Sequence, residues 1–409
     1  MRKVNYNRLS SWIEQLSRIG ATPEGGVRRL AASDEDRDGR NLVLSWMKDL
    51  GLEIAVDQIG NIFATLRGES DSAPIMIGSH IDSVGNAGSL DGPYGVLAGL
   101  EIVASFKDVG ILPSIPICVA IFTNEEGVRF QPDMMGSLVH AGGMELESAL
   151  ATTDRTGKSL GDELARIGYA GPVRCGSIKP RCFIELHIEQ GPILENEGIT
   201  IGVVEGVQGI YWTEVEFRGQ ANHAGTTPMH LRRDAGLAAM SLATEVKRIT
   251  DSIPNQVGTV GSITLKPNLI NVVPGWSQIT IDLRNRDGDK LHDAQLRFEA
   301  AIELVQEKEN VSATVTPLVR FEPVEFDHNL VAIVECAAQS LQHSNRRIVS
   351  GAGHDAQMMA RVCPAAMIFV PSVNGVSHNP AEATNEEDLY AGLDVLSKVI
   401  ESILKDASS

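Results

Sequence analysis

Ten histidines are spread along this sequence, and three of them share one kind of setting. His80 falls in Gly78-Ser79-His80-Ile81-Asp82-Ser83-Val84, and His187 in Glu185-Leu186-His187-Ile188-Glu189-Gln190-Gly191-Pro192. His378 falls in Val376-Ser377-His378-Asn379-Pro380-Ala381-Glu382. Each closes a strand-like apolar run, beside an acid or a proline turn. A neutral imidazole and a carboxylate converging at a strand end suit a divalent cation. Asp82, two residues beyond His80, is placed to accept the proton of the other ring nitrogen and so fix its tautomer. A single His-x-Asp is equally well a capped loop with a solvated acid. The repetition gives the pattern its weight.

Two further stretches supply carboxylates. Asp91 lies in Leu90-Asp91-Gly92-Pro93-Tyr94-Gly95-Val96, a Gly/Pro loop that opens a helix. Glu125 and Glu126 lie in Phe122-Thr123-Asn124-Glu125-Glu126-Gly127, after an apolar run at 115–121. Neighbours on an extended chain face opposite ways, so the two glutamates need different jobs: one ligates metal, the other turns to the reacting water as general base. A small-residue loop, Gly351-Ala352-Gly353-His354-Asp355-Ala356, stands at a helix start and suits backbone contact with an anion. His80, Asp91, Glu126, His187 and His378 together make five ligands, enough for two ions that share Asp91. Such centres lower the pKa of water toward roughly 7 and polarise a carbonyl. Hydrolysis of a C–N bond is the natural chemistry.

The elements that must position these residues read as a β-α-β alternation. Helices are predicted at 5–19, 34–50 and 93–107, and strands at 52–56, 61–66, 75–79, 115–123 and 182–187. The stretch 145–167 reads as two helices broken near Thr156-Gly157. This order predicts an α/β fold, a sheet with parallel strands covered by helices. The character changes near Gly209. Strand 211–217, helix 234–251, strands 257–265 and 277–284, helix 293–309 and strand 311–319 follow the ferredoxin-like order. Residues 209–326 are therefore expected to form an inserted α+β domain, and 1–208 with 327–409 the metal-binding domain. Helices at 328–341, 354–361 and 385–405 and a strand at 366–370 complete the latter, and a short polar tail ends the chain at 406–409.

The 409 residues allow two or three domains, and 43% apolar with 22% charged residues is ordinary for a globular protein. A net charge of −18 disfavours nucleic acid as partner. No apolar leader follows Met1 and no apolar run approaches the length of a membrane span, so a cytoplasmic protein without a membrane partner is expected. Five scattered cysteines without a C-x-x-C pair are expected to be free thiols.

The motifs above, with Gly219-Gln220-Ala221-Asn222-His223-Ala224-Gly225-Thr226-Thr227-Pro228-Met229 and Val128-Arg129-Phe130, resemble the di-metal amidohydrolase and exopeptidase superfamily. More narrowly they resemble its hydantoinase/carbamoylase branch of N-carbamoyl-L-amino-acid hydrolases, β-ureidopropionases and allantoate and ureidoglycolate amidohydrolases. The resemblance implies an exopeptidase-like catalytic domain with a mixed sheet, and an inserted lid that also forms a homodimer contact. It implies two divalent ions per subunit (zinc, or manganese, cobalt or nickel), one on His80, Asp91 and His187, the other on Asp91, Glu126 and His378. Glu125 would be the general base, with His223 stabilising the oxyanion and Asp82 supporting the site. Gln190, His223, Asn271, Arg284, Gly353 and His354 would contact a small ureido acid. The expected reaction releases the amino acid, ammonia and carbon dioxide from an N-carbamoyl-L-amino acid. Peptidase-like relatives offer a carboxylate where this chain has His187, which argues against a dipeptidase or aminoacylase. Allantoate enzymes offer an Arg near Gln208-Gly209-Ile210-Tyr211-Trp212, where this chain has none, so allantoate or ureidoglycolate stands as the alternative substrate.

Overall fold

Four apolar runs, Ile75–His80, Ile117–Phe122, Cys182–Ile188 and Ala365–Val370, are buried along their whole length. Strands that read as continuous apolar runs belong in a parallel sheet covered on both faces. That is their arrangement in the computed structural model, which describes residues 2–406. The end of the expected polar tail, 407–409, lies outside the described residues. Ile75–His80 pairs in parallel with Ile117–Phe122 on one side and Cys182–Ile188 on the other. Ala365–Val370 continues in parallel beyond Cys182–Ile188. Antiparallel strands extend the sheet: Ile62–Leu66 and Glu53–Val56 at one side, Ile201–Val207 at the other. Among the described residues this gives a nine-stranded mixed sheet.

The helix Pro93–Val109 starts with proline in its first turn and ends on Gly110 in the left-handed conformation. It is buried from Pro93 to Phe106, so it lies in the core and turns no side to solvent there. Gly95 allows the close approach, since a Cβ there would meet the carbonyl oxygen of Leu186 at 2.4 Å.

The chain divides into two compact units, one of residues up to Gly206 with those from Glu325 on, the other Val207–Val324. In the second unit the strand order is Ser312–Phe321, Gly209–Arg218, Trp276–Asn285, Val257–Lys266, all antiparallel. Tyr211, Val215, Phe217, Ile279, Ile281 and Leu283 alternate inward and pack with Leu242, Val246, Phe298 and Ile302 from the helices Ala235–Ser252 and Gly288–Glu309. This is the ferredoxin-like succession.

Two departures from the sequence reading have identifiable causes. The helix expected from 293 begins at Gly288, because Asp287 caps it by accepting the N–H groups of Asp289 and Lys290. The strand Ile201–Val207 was not expected, since glycines interrupt its apolar run. Gly202 is required there, because a Cβ would meet that of Phe369 at 2.9 Å. Short helices Met135–His140 and Ile193–Glu197 were also unexpected. All five cysteines are free thiols. No helix among the described residues is long and apolar enough to cross a membrane.

Candidate metal centre

The parallel strands run in one direction, so their C-terminal ends open on a common edge, where α/β sheets keep their ligands. His80 ends its strand, Glu125 and Glu126 follow Phe122, His187 is the penultimate residue of its strand, and Ser372–His378 follows Val370. Asp91 reaches the same place from the loop before the helix Pro93–Val109. The residue between, Gly92, has φ 82°, and a Cβ on it would meet the His80 imidazole at 2.5 Å. Only glycine fits there.

Asp91 is the centre of the cluster. Its Oδ1 lies 3.2 Å from His187 Nε2 and 3.7 Å from His80 Nε2. Its Oδ2 lies 3.2 Å from His378 Nε2, which in turn is 3.5 Å from Glu126 Oε2. One side chain thus faces two ligand groups, His80–Asp91–His187 and Asp91–Glu126–His378, each with donor atoms close enough to hold an ion. Glu125 Oε2 stands beside them, 3.4 Å from His80 Nε2. A third group, Glu185–His187–His354, also forms, but the Glu185 carboxylate already takes the Ser79 hydroxyl at 2.7 Å and the Ala356 N–H at 2.8 Å.

The two buried histidines present Nε2 because Nδ1 is taken. His80 Nδ1 donates to the backbone oxygen of Asp82 at 3.0 Å, and His187 Nδ1 to that of Ile188 at 2.9 Å. The orienting acceptor on Asp82 is therefore its carbonyl and not its carboxylate, which lies 3.8 Å from the ring. The carboxylate instead receives the N–H groups of Glu125 at 3.2 Å and Glu126 at 3.3 Å. Two residues after a strand end, the chain turns, and the turn aims the carbonyl where the side chain was expected.

The electrostatics are those of a site short of positive charge. Burial pushes Glu125 well above the usual carboxylate range, and Asp355, Glu126 and Asp91 add to it. Burial does the same to Glu126, reinforced by Asp91 and Asp82. Burial pushes His80 down to about 4, against the pull of Asp91. Burial is the strongest single influence on His187 and opposes its charge, but the hydrogen bond and charge of Asp91, the charge of Glu185 and the Ile188 carbonyl together outweigh it and raise that ring to about 9. Buried imidazoles and carboxylates sharing one aspartate fit a divalent cation, which would neutralise the acids and leave the histidines neutral.

The remaining expected residues are placed as follows. Gln190, held at φ 58°, donates from Nε2 to Asp91 Oδ2 at 2.8 Å. His354 is buried, packs edge-on against His187 at 4.6 Å between ring centres, and bonds Ser350 Oγ through Nε2 at 3.0 Å. Gly353 precedes it, and a Cβ there would meet Met134 at 2.8 Å. His223, Asn271 and Arg284 lie in the second unit. His223 and Asn271 are neighbours, because strand Asn222–His223 pairs with Val272–Val273 and Ala224 N–H donates to Asn271 O at 3.0 Å. Arg284 binds Asp282 through Nε and Nη2 and sits 5.8 Å over the Trp212 ring. Two residues to which the sequence reading gives no role also shape the site. Buried Arg29 donates to Ile81 O at 2.6 Å and to the carbonyls of Leu16 and Ile19, pinning the turn that presents His80. Glu382 holds the Asp91 loop, receiving the N–H groups of Leu90 and Asp91, each at 3.2 Å.

Histidines and acids gathered around one shared carboxylate at the edge of a mixed sheet, with a second glutamate alongside, form a cluster able to hold metal ions, as a hydrolase of the di-metal exopeptidase class would need. The chain matches Peptidase family M20/M25/M40 over residues 76–402 and belongs to that family. Within it the chain falls in the hydantoinase/carbamoylase branch. It is 43% identical over 397 residues to an N-carbamoyl-L-amino-acid amidohydrolase of Rhizobium meliloti, covering 97% of this chain and 95% of that protein. An allantoate amidohydrolase of Bacillus subtilis is 36% identical, covering 96% of this chain and 97% of its own. The crystal structure of a hydantoinase/carbamoylase family amidase from Burkholderia multivorans superposes with a TM-score of 0.92 at 44% identity, covering 98% of both chains.

Proposed function

We propose that this protein hydrolyses the carbamoyl C–N bond of N-carbamoyl-L-amino acids, giving the amino acid, ammonia and carbon dioxide. The observation that carries the reading is Asp91 shared between two ligand groups with Glu125 beside them, in a chain with a near full-length relative named for that activity. In this reading His80, Asp91 and His187 hold one divalent ion and Asp91, Glu126 and His378 a second, zinc or else manganese, cobalt or nickel. Bound there, such ions polarise a carbonyl and acidify water. Glu125, outside both ligand groups and 3.4 Å from His80 Nε2, takes the proton from the attacking water and delivers it to the departing nitrogen.

The second unit belongs to the same reading as lid and homodimer contact. His223 Nδ1 accepts the N–H groups of Gly225 and Thr226 at 3.1 and 3.2 Å. Its proton therefore sits on Nε2, an N–H donor for the oxyanion of the tetrahedral intermediate. Asn271 and Gln190 hydrogen-bond the substrate, with Gly353 and His354 lining its site, and Arg284 clamps its carboxylate with a planar guanidinium. The protein works in the cytoplasm.

A second reading, allantoate or ureidoglycolate hydrolysis, is favoured by the relative named allantoate amidohydrolase. One panel separates the two. Metal-depleted protein is loaded in turn with zinc, manganese, cobalt and nickel; ammonia release is measured from N-carbamoyl-L-amino acids, allantoate and ureidoglycolate, and free amino acid release from dipeptides. The fastest release is expected from an N-carbamoyl-L-amino acid. Turnover confined to allantoate or ureidoglycolate would replace the first reading by the second, and none from any ureido compound would end both.

A further inference from the structure

Asp91 and His378 lie far apart in sequence yet must act on one ion, and each sits in a loop. Glu382 is the side chain that ties the loops together. Its Oε1 receives the N–H groups of Leu90 and Asp91, each at 3.2 Å, and its Oε2 receives the hydroxyl of Ser377 at 2.9 Å. Ser377 directly precedes His378, and its hydroxyl is also 3.4 Å from Asp91 Oδ2. The backbone has been fitted round this carboxylate, since a Cβ on Gly88 would meet both Glu382 Cβ and Oε1 at 2.4 Å. His378 itself is held at φ 53°, a left-handed conformation that a non-glycine residue keeps only when its surroundings enforce it.

We propose that Glu382 is the positioning residue of the second ion position: it docks the Asp91 loop onto the His378 loop and thereby sets the distance between their ligand atoms. It touches neither substrate nor the reacting atoms. All three of its partners are donors, so the carboxylate acts only as an acceptor. A glutamine is the conservative replacement, because Oε1 still accepts the two backbone N–H groups while the Ser377 hydroxyl turns to accept from Nε2. Alanine leaves those N–H groups buried without a partner.

The far side of Glu382 faces a cavity of about 290 Å³ lined also by Arg18, Thr22, Gly26, Gly88 and Ser89. The cavity gives the alanine variant room for a small carboxylate from solvent, so acetate is expected to replace the lost side chain in part.

The inference rests on the two-ion reading, and the test keeps the two apart. Metal-depleted wild type, Glu382→Ala and Glu382→Gln are titrated calorimetrically with zinc or manganese, with and without acetate, and their folding is checked by circular dichroism. Wild type is expected to show two binding events. In the alanine variant the weaker event should lose about 10–100-fold in affinity, recover in part with acetate, and be retained in the glutamine variant. Two unaltered events in Glu382→Ala would overturn the proposal, as would glutamine and alanine failing alike in folded protein. Should the alanine variant not fold, an equal loss in Glu382→Gln would likewise overturn it. A single event in wild type would overturn the two-ion reading itself.

Discussion

The carboxylate of Asp82 receives the backbone N–H of Glu125 at 3.2 Å, while its carbonyl oxygen, 3.0 Å from Nδ1, orients His80. One residue therefore fixes both a metal-type ligand and the carboxylate beside it. In Asp82→Asn the carbonyl is kept, but one carboxylate oxygen becomes an amide that cannot accept from Glu126. The expected outcome is a fall in kcat of about 10–100-fold with smaller loss of bound metal, checked by steady-state kinetics beside metal analysis of the same sample.

Glu125→Gln removes the proton acceptor and keeps the shape. General-base catalysis supplies about 10²–10⁴-fold, so kcat should fall by that amount while metal content stays that of wild type. Near wild-type turnover would assign the base elsewhere.

Asp91 and His378 differ in what their loss removes. Asp91→Ala takes a ligand from both groups and should bring the metal-to-protein ratio toward zero. His378→Ala takes one ligand from one group and should leave the His80–His187 position filled. Elemental analysis after gel filtration reads both.

Gly92→Ala sets a methyl against the His80 ring and forces an L-residue into φ 82°. A loss of about 1–3 kcal/mol is expected, seen as a lower denaturation midpoint of the metal-free protein, together with weaker metal binding because His80 must move.

The sequence reading reached the strand-end residues because their signals are local. His80 and His187 lie at the ends of runs whose burial their composition announces, Glu125-Glu126 follows another, and His378, expected at a strand end, lies in the loop beyond the strand that ends at Val370. It also reached the alternation of Tyr211, Val215 and Phe217, which face their own core. It missed what depends on contacts between distant segments. Glu382 reads as a loop acid until Leu90 and Asp91, nearly three hundred residues earlier, are found donating to it. Arg29 belongs to no motif of the sequence, yet it is buried on backbone carbonyls. The Asp82 carbonyl was missed because a sequence displays side chains, whereas that acceptor belongs to the chain itself.

The ligand groups also differ in access. His187 and Asp91 expose 1% and 5% of their side chains, whereas His378 exposes 52%. Under the two-ion reading the centre then has an inner and an outer berth, exchanging on different timescales. A chelator would then strip the outer berth first and leave a half-filled protein. Activity measured after purification would record how long the protein spent in dilute buffer as much as which metal it met last.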